Sequence, residues 1–106
     1  MITIEDFAKV ELKIGKVLEA KRVEGSNKLI VMKVDTSEER QIVAGIGKAY
    51  SPEELIGKSI VVVTNLQPAK LMGVESQGML LAASDAEGKL SILTTDREMG
   101  EGSKVK

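Results

Sequence analysis

The sequence predicts a small all-β protein, a closed barrel of about five strands with short helices added. Three observations carry this. Apolar and charged residues alternate in short segments with period two, and clusters of Gly, Ser and Asn punctuate those segments. The only clear helix starts open very short helices. The 106 residues, 42% of them hydrophobic, suit a single domain over residues 1–106 with one core, and no apolar run approaches bilayer length.

In chain order, Thr3 followed by Asp6 marks an N-cap for a short turn of helix that would lay Phe7 on the core. Val10, Leu12 and Ile14 then alternate with Glu11 and Lys13, the mark of a half-buried strand. Gly15 breaks that phase before Val17 and Leu18, which predicts a bulge bending one long first strand. Gly25, Ser26 and Asn27 reverse the chain, and LIVMKV forms the second strand, apolar on both faces. A charged turn at Glu38, Glu39 and Arg40 leads to QIVAGIG, a third strand whose Gly45 and Gly47 imply close backbone approach. Ser51, Pro52 and Glu54 open a second helix with a capping box, and Gly57 stops it. Ser59–Thr64 is the fourth strand, Met79–Ser84 the fifth and Leu90–Leu93 a shorter sixth. Three strands, a short helix and two or more further strands are the element order of a five-stranded Greek-key barrel of the OB type, here with a C-terminal extension.

Composition narrows the function. There is no Cys and no His, which removes thiol nucleophiles, histidine bases and the common zinc sites, so no cofactor or metal is expected. The carboxylates have no recognisable catalytic setting. Fifteen basic against sixteen acidic residues create no bulk positive field, so nucleic acid would need a local patch. With one Phe and one Tyr, base stacking cannot dominate. The N-terminus lacks a basic-then-apolar signal pattern, and with zero cysteines this reads as a cytoplasmic chain.

Val63–Ala83, VTNLQPAKLMGVESQGMLLAA, joins two apolar strands through a dense set of polar and small residues, shaped by Pro68, Gly73 and Gly78. By residue type alone Lys28 and Lys70 are surface charges, Asn65 is a turn residue, Ser76 a cap, and Met72 and Met79 are core fillers. Binding roles for the same residues stay open at this level.

The segments DFAKVELKIGKV, SNKLIVMKV and RQIVAGIGKAYSPEELIGKSIVVVTNLQPAKLMGVESQGMLLAA resemble the tRNA-binding domain appended to many methionyl-tRNA synthetases. Free-standing tRNA-binding homodimers and multisynthetase accessory proteins of the endothelial monocyte-activating polypeptide type share it. The resemblance runs from about Phe7 to Val105, with the NL-x-P and S-x-GM elements in order. It implies an OB-fold that binds tRNA by shape with little sequence preference. The implied RNA-facing residues are Ser26, Lys28, Asn65, Lys70, Ser76, Gly78 and Met79, and the implied partners are tRNA, a second copy of the chain and a methionyl-tRNA synthetase catalytic chain. Gln67 and Ala69 stand where the family often carries basic residues, which implies weaker affinity than in close relatives. A module for protein interaction, acting as an export chaperone or docking platform, is the alternative the near-neutral charge also suits.

Overall fold

The first strand organises the architecture because it pairs along both edges. In the computed structural model, which describes residues 1–106, β1 runs from Leu12 to Arg22 and is followed by β2 (Ile30–Asp35), β3 (Glu39–Ala44) and β4 (Ser59–Val63). The second half of β1 pairs with β2, and its first half pairs with β4. The polar stretch contributes a small hairpin of β5 (Ala69–Leu71) and β6 (Val74–Ser76), followed by β7 (Met79–Leu80), β8 (Ala82–Ser84), β9 (Leu90–Ile92) and β10 (Lys104–Val105). The main sheet has the order β3-β2-β1-β4-β7, with β10 added to the start of β1. A fourth strand returning beside the first is a Greek key. The chain therefore forms the OB-type barrel that its element order predicts.

Two differences from the sequence reading concern β1. The alternation starts at Leu12 instead of Val10, which is 42% exposed. The register shift against β2 lies between Val17 and Glu19, not at Gly15. Gly15 has another cause: a Cβ there would sit 2.5 Å from Val34 Cγ1, so the second strand occupies the place of its side chain. Leu12 and Ile14 face a small cluster with Val61 and Val63, while Val17 faces the main core with Ile30, Met32, Val34, Ile42, Ile60, Val62 and Leu80. β4 is thus buried on both faces, which is why SIVVV reads as an uninterrupted apolar run. Each such buried side chain contributes roughly 1.5–3 kcal/mol relative to leaving it in water.

The predicted fifth strand is split at Leu81, whose N–H bonds Val61 O and whose carbonyl accepts from Leu93 N–H, so β7 stays with β4 while β8 pairs with β9. The helices α1 (Ile4–Ala8) and α2 (Pro52–Leu55) are capped as expected. Thr3 and Asp6 exchange two bonds, and the Glu54 carboxylate accepts from both the N–H and the hydroxyl of Ser51. These Ser51 bonds hold the Glu54 carboxyl below the usual carboxylate range. α2 buries Leu55, but α1 buries nothing: Phe7 is 40% exposed instead of resting on the core, because α1 lies before the strand that enters the barrel. Expected as core fillers, Met72 and Met79 are also exposed: Met72 lies at the turn of the β5–β6 hairpin, and Met79 lies on β7 beside Val63, away from the main core that Leu80 faces.

Candidate nucleic-acid interface

Two loops carry the residues singled out from the sequence. The shorter, Val23–Leu29, is closed by Val23 N–H to Leu29 O and turned at Gly25, whose φ is +85°. Ser26 shapes it from within: its Oγ accepts from the N–H groups of Lys28 and Leu29 at 3.1 and 3.0 Å. The loop is fastened to the next connection by Gly47 N–H to Lys28 O at 2.7 Å and by Arg22, whose Nη1 donates to Gly47 O and Asn27 O. A Cβ on Gly47 would lie 2.7 Å from Lys28 O, which is the close approach predicted for that glycine. Lys28 is exposed, with its methylenes laid along Gly45, where a Cβ would lie 3.0 Å from Lys28 Cε.

The longer loop spans Thr64–Gly78. Its hairpin turns at Met72 and Gly73, with φ of +50° and +79°, the left-handed pair that a two-residue hairpin turn needs. The Met72 side chain reaches the shorter loop, since a Cβ on Gly25 would be 3.6 Å from Met72 Cε. Lys70 lies exposed on β5 opposite Glu75. Asn65 is a clamp: Oδ1 accepts from Glu11 N–H at 2.8 Å and Nδ2 donates to Lys9 O at 2.7 Å, tying the N-terminal segment to the end of β4. Beside it the Thr64 hydroxyl bonds the Glu11 carboxylate, and this bond, helped by the charges of Lys13, Arg40 and Lys104, holds the Glu11 carboxyl below its ordinary range.

The far end of the loop closes the barrel against β3. Ser76 is buried, with its Oγ accepting from Val43 N–H and donating to Gly78 O. Gln77 exchanges bonds with Gln41: the Gln77 N–H donates to Gln41 O at 2.7 Å, and the Gln41 N–H to Gln77 Oε1 at 2.9 Å. Gly78 adopts φ +146°, and a Cβ there would meet Val63 O at 2.8 Å. Met79 follows, exposed, next to Val63 across the ladder. Of the seven residues drawn from the sequence, Lys28, Lys70 and Met79 present free side chains. Ser26, Asn65, Ser76 and Gly78 hold the loops that present them.

Neither Lys28 nor Lys70 enters an ion pair, whereas Lys9, Lys13, Lys16, Lys33 and Arg40 all do. Position, more than pairing, sets the two lysines apart: Lys21, Arg22, Lys48, Lys58, Lys89, Arg97, Lys104 and Lys106 are also without ion pairs, but Lys28 and Lys70 stand on the two loops that touch. A cleft of about 440 Å³ on the outer face of the first three strands is lined by Glu19, Lys33, Glu39 and Gln77 among others. There Lys33 is held by Glu19 at 2.9 Å and Glu39 at 3.4 Å, and those bonds raise its pKa above the usual lysine value. The aromatics are engaged elsewhere: Tyr50 Oη accepts from Ile92 N–H, and Phe7 sits on α1. Sequence reasoning missed Arg22, Arg40 and Gln41, whose roles rest on partners distant in the chain and leave no local signal.

A Greek-key barrel of this order, with the β1–β2 loop lying against the long connection from β4 to β7, is an OB-fold, a class whose corresponding loops take oligonucleotides or oligosaccharides. The family model described as "Putative tRNA binding domain" matches residues 12–104. Among curated proteins, the methionine–tRNA ligase of Caldanaerobacter subterraneus subsp. tengcongensis is 65% identical over 98% of this chain, which spans 16% of the length of that ligase. Among solved structures, a MetRS-related protein from Pyrococcus horikoshii superposes with a TM-score of 0.95 at 40% identity, covering 100% of this chain and 98% of that one. The chaperone CsaA of Bacillus anthracis superposes with a TM-score of 0.90 at 31% identity, covering 100% and 99%. The chain belongs to the tRNA-binding domain family.

Proposed function

We propose that this chain binds folded tRNA by shape and backbone, with little preference for sequence, as an accessory module of a methionine–tRNA ligase. Lys28 and Lys70 contact phosphates. Met79 offers an apolar surface to ribose or an unstacked base, and Asn65 keeps one N–H and one lone pair for a 2′-hydroxyl. Ser26, Ser76 and Gly78 act through the backbone they hold. The observation that carries this reading is the presence of two exposed, unpaired lysines, Lys28 and Lys70, on two loops that touch through Met72 and Gly25. Catalysis belongs to no residue of this chain in this reading. The role implies a cytoplasmic setting.

The same reading makes the chain a homodimer. Ile2, Ile4, Phe7 and Val10 are exposed in one short N-terminal stretch, and Leu93 is exposed beyond β9, an apolar surface suited to a second copy. Two copies present two tRNA-facing surfaces to one L-shaped ligand. Sedimentation at micromolar concentration is expected to give a dimer, and a monomer would refute that part. Tests of RNA binding pit labelled tRNA against an unstructured RNA of equal length. Folded tRNA is expected to compete well and the unstructured RNA poorly, and equal competition would refute recognition by shape. The interaction-module alternative predicts that an unfolded polypeptide displaces tRNA.

A further inference from the structure

Arg40 lies beneath both ends of the longer loop. Its side chain is 17% exposed and reaches acceptors on separate stretches of chain. Nε donates to Thr36 Oγ1 at 3.1 Å, Nη1 donates to Thr64 O and Gln77 O at 3.1 Å each, and Nη2 bonds the Glu38 carboxylate. Thr64 opens the longer loop and Gln77 follows its hairpin, so one guanidinium bonds the two points between which Asn65–Ser76 is strung. The two N–H groups of a single nitrogen, Nη1, serve the two loop ends, while Nε and Nη2 anchor the guanidinium on Thr36 and Glu38 and so fix where Nη1 lies. A lysine ammonium carries the same charge but has no further nitrogens with which to keep those anchors while it reaches both carbonyls.

We propose that Arg40 is the positioning residue of the tRNA-binding surface: it sets the separation of the loop's two ends, and so the place where Lys70 and Met79 meet RNA, without contacting RNA itself. The inference rests on the tRNA-binding reading. A loop held at both ends meets a rigid ligand with its ordering cost already met, whereas a loop with one loose end must be ordered on binding. A loose loop also adapts to flexible RNA as readily as to a folded one. Arg40 therefore governs discrimination between folded and unstructured RNA more than it governs charge.

The test compares Arg40→Lys and Arg40→Gln with the unaltered protein, each confirmed folded by circular dichroism. Affinity for tRNA and for a single-stranded homopolymer is measured across a salt series, with hydrogen exchange of residues 65–78. Both variants are expected to bind tRNA about tenfold more weakly. They should show a smaller preference for tRNA over the homopolymer and faster exchange in the loop, and Arg40→Lys should keep the original salt slope. If Arg40→Lys bound like the unaltered protein while Arg40→Gln lost affinity and about one unit of slope, Arg40 would be a phosphate contact and the proposal would fall. Equal weakening toward both RNAs with unchanged loop exchange would overturn it as well, leaving Arg40 a residue of the fold alone. Should Arg40→Gln fail to fold, Arg40→Lys decides by itself, and Thr36→Val, which removes the Nε acceptor, should act in the same direction with smaller effect. Absence of tRNA binding by the unaltered protein would instead refute the parent reading.

Discussion

β4 and the polar loop that follows it are consecutive in the chain and opposite in construction. Ile60, Val61, Val62 and Val63 are all buried, paired along one edge with β1 and, at Val62 and Val63, along the other with β7, and removal of apolar surface from water holds them. A few residues later Leu66 and Met72 stand exposed, and what holds the chain is a set of polar bonds from Arg40, Gln41, Ser76, Gln77 and Asn65. Non-directional burial can fold a strand but cannot fix an irregular loop at a water-facing surface. Directional bonds can, and they leave outward side chains free for a ligand.

The largest effect that separates the two regions comes from cavity formation. Ile60→Ala is expected to destabilise folding by about 3 kcal/mol in chemical denaturation, with tRNA affinity unchanged wherever the variant remains folded. An affinity loss at full folding would show that the two regions are not separable. Gly78→Ala should cost about 2 kcal/mol, because its φ of +146° and the 2.8 Å approach to Val63 O oppose a Cβ, and it should weaken tRNA binding as well, since it displaces the junction of loop and barrel. Asn65→Ala should cost about 1 kcal/mol, appearing as faster hydrogen exchange at Glu11, whose N–H loses its partner.

The smallest effect is a pH dependence. The Glu11 carboxyl is held below its ordinary range by the Thr64 hydroxyl, so its contribution is in place above the unfolded pKa and is lost as pH falls through the folded one. Protection of the N-terminal segment, measured against the exchange rate of an unstructured chain at the same pH, should therefore fall on acidification below about pH 4, before the barrel opens. Glu11→Gln should remove that acid step. Persistence of the step in that variant would assign it to another carboxylate.

The barrel was legible because alternation and turn chemistry are local. SIVVV, LIVMKV and the Ser51–Glu54 cap declare themselves within a few residues. The bulge was misplaced to Gly15 because a glycine can mark either a bulge or a close approach, and only the packing of Val34 shows which. Phe7 was misjudged because an apolar residue on a capped turn looks the same whether it meets its own core or an outer surface. In the loop, the residue types were visible but not their duties. Nothing near Ser76 in sequence reveals that Val43 N–H needs its hydroxyl, and nothing in the acidic run before Arg40 reveals carbonyls at positions 64 and 77. The hairpin β5–β6 leaves no alternation to read because its strands are three residues each.

The central claim is that Lys28 and Lys70, on two touching loops, make the phosphate contacts. It is tested most directly by the salt dependence of tRNA binding in the Lys28→Ala/Lys70→Ala double variant. The log–log slope of affinity against salt should fall by about two units relative to the unaltered protein, one for each lost contact, with the fold unchanged by circular dichroism. A double variant that bound tRNA with the original affinity and slope would contradict the account and move the interface to another face of the barrel.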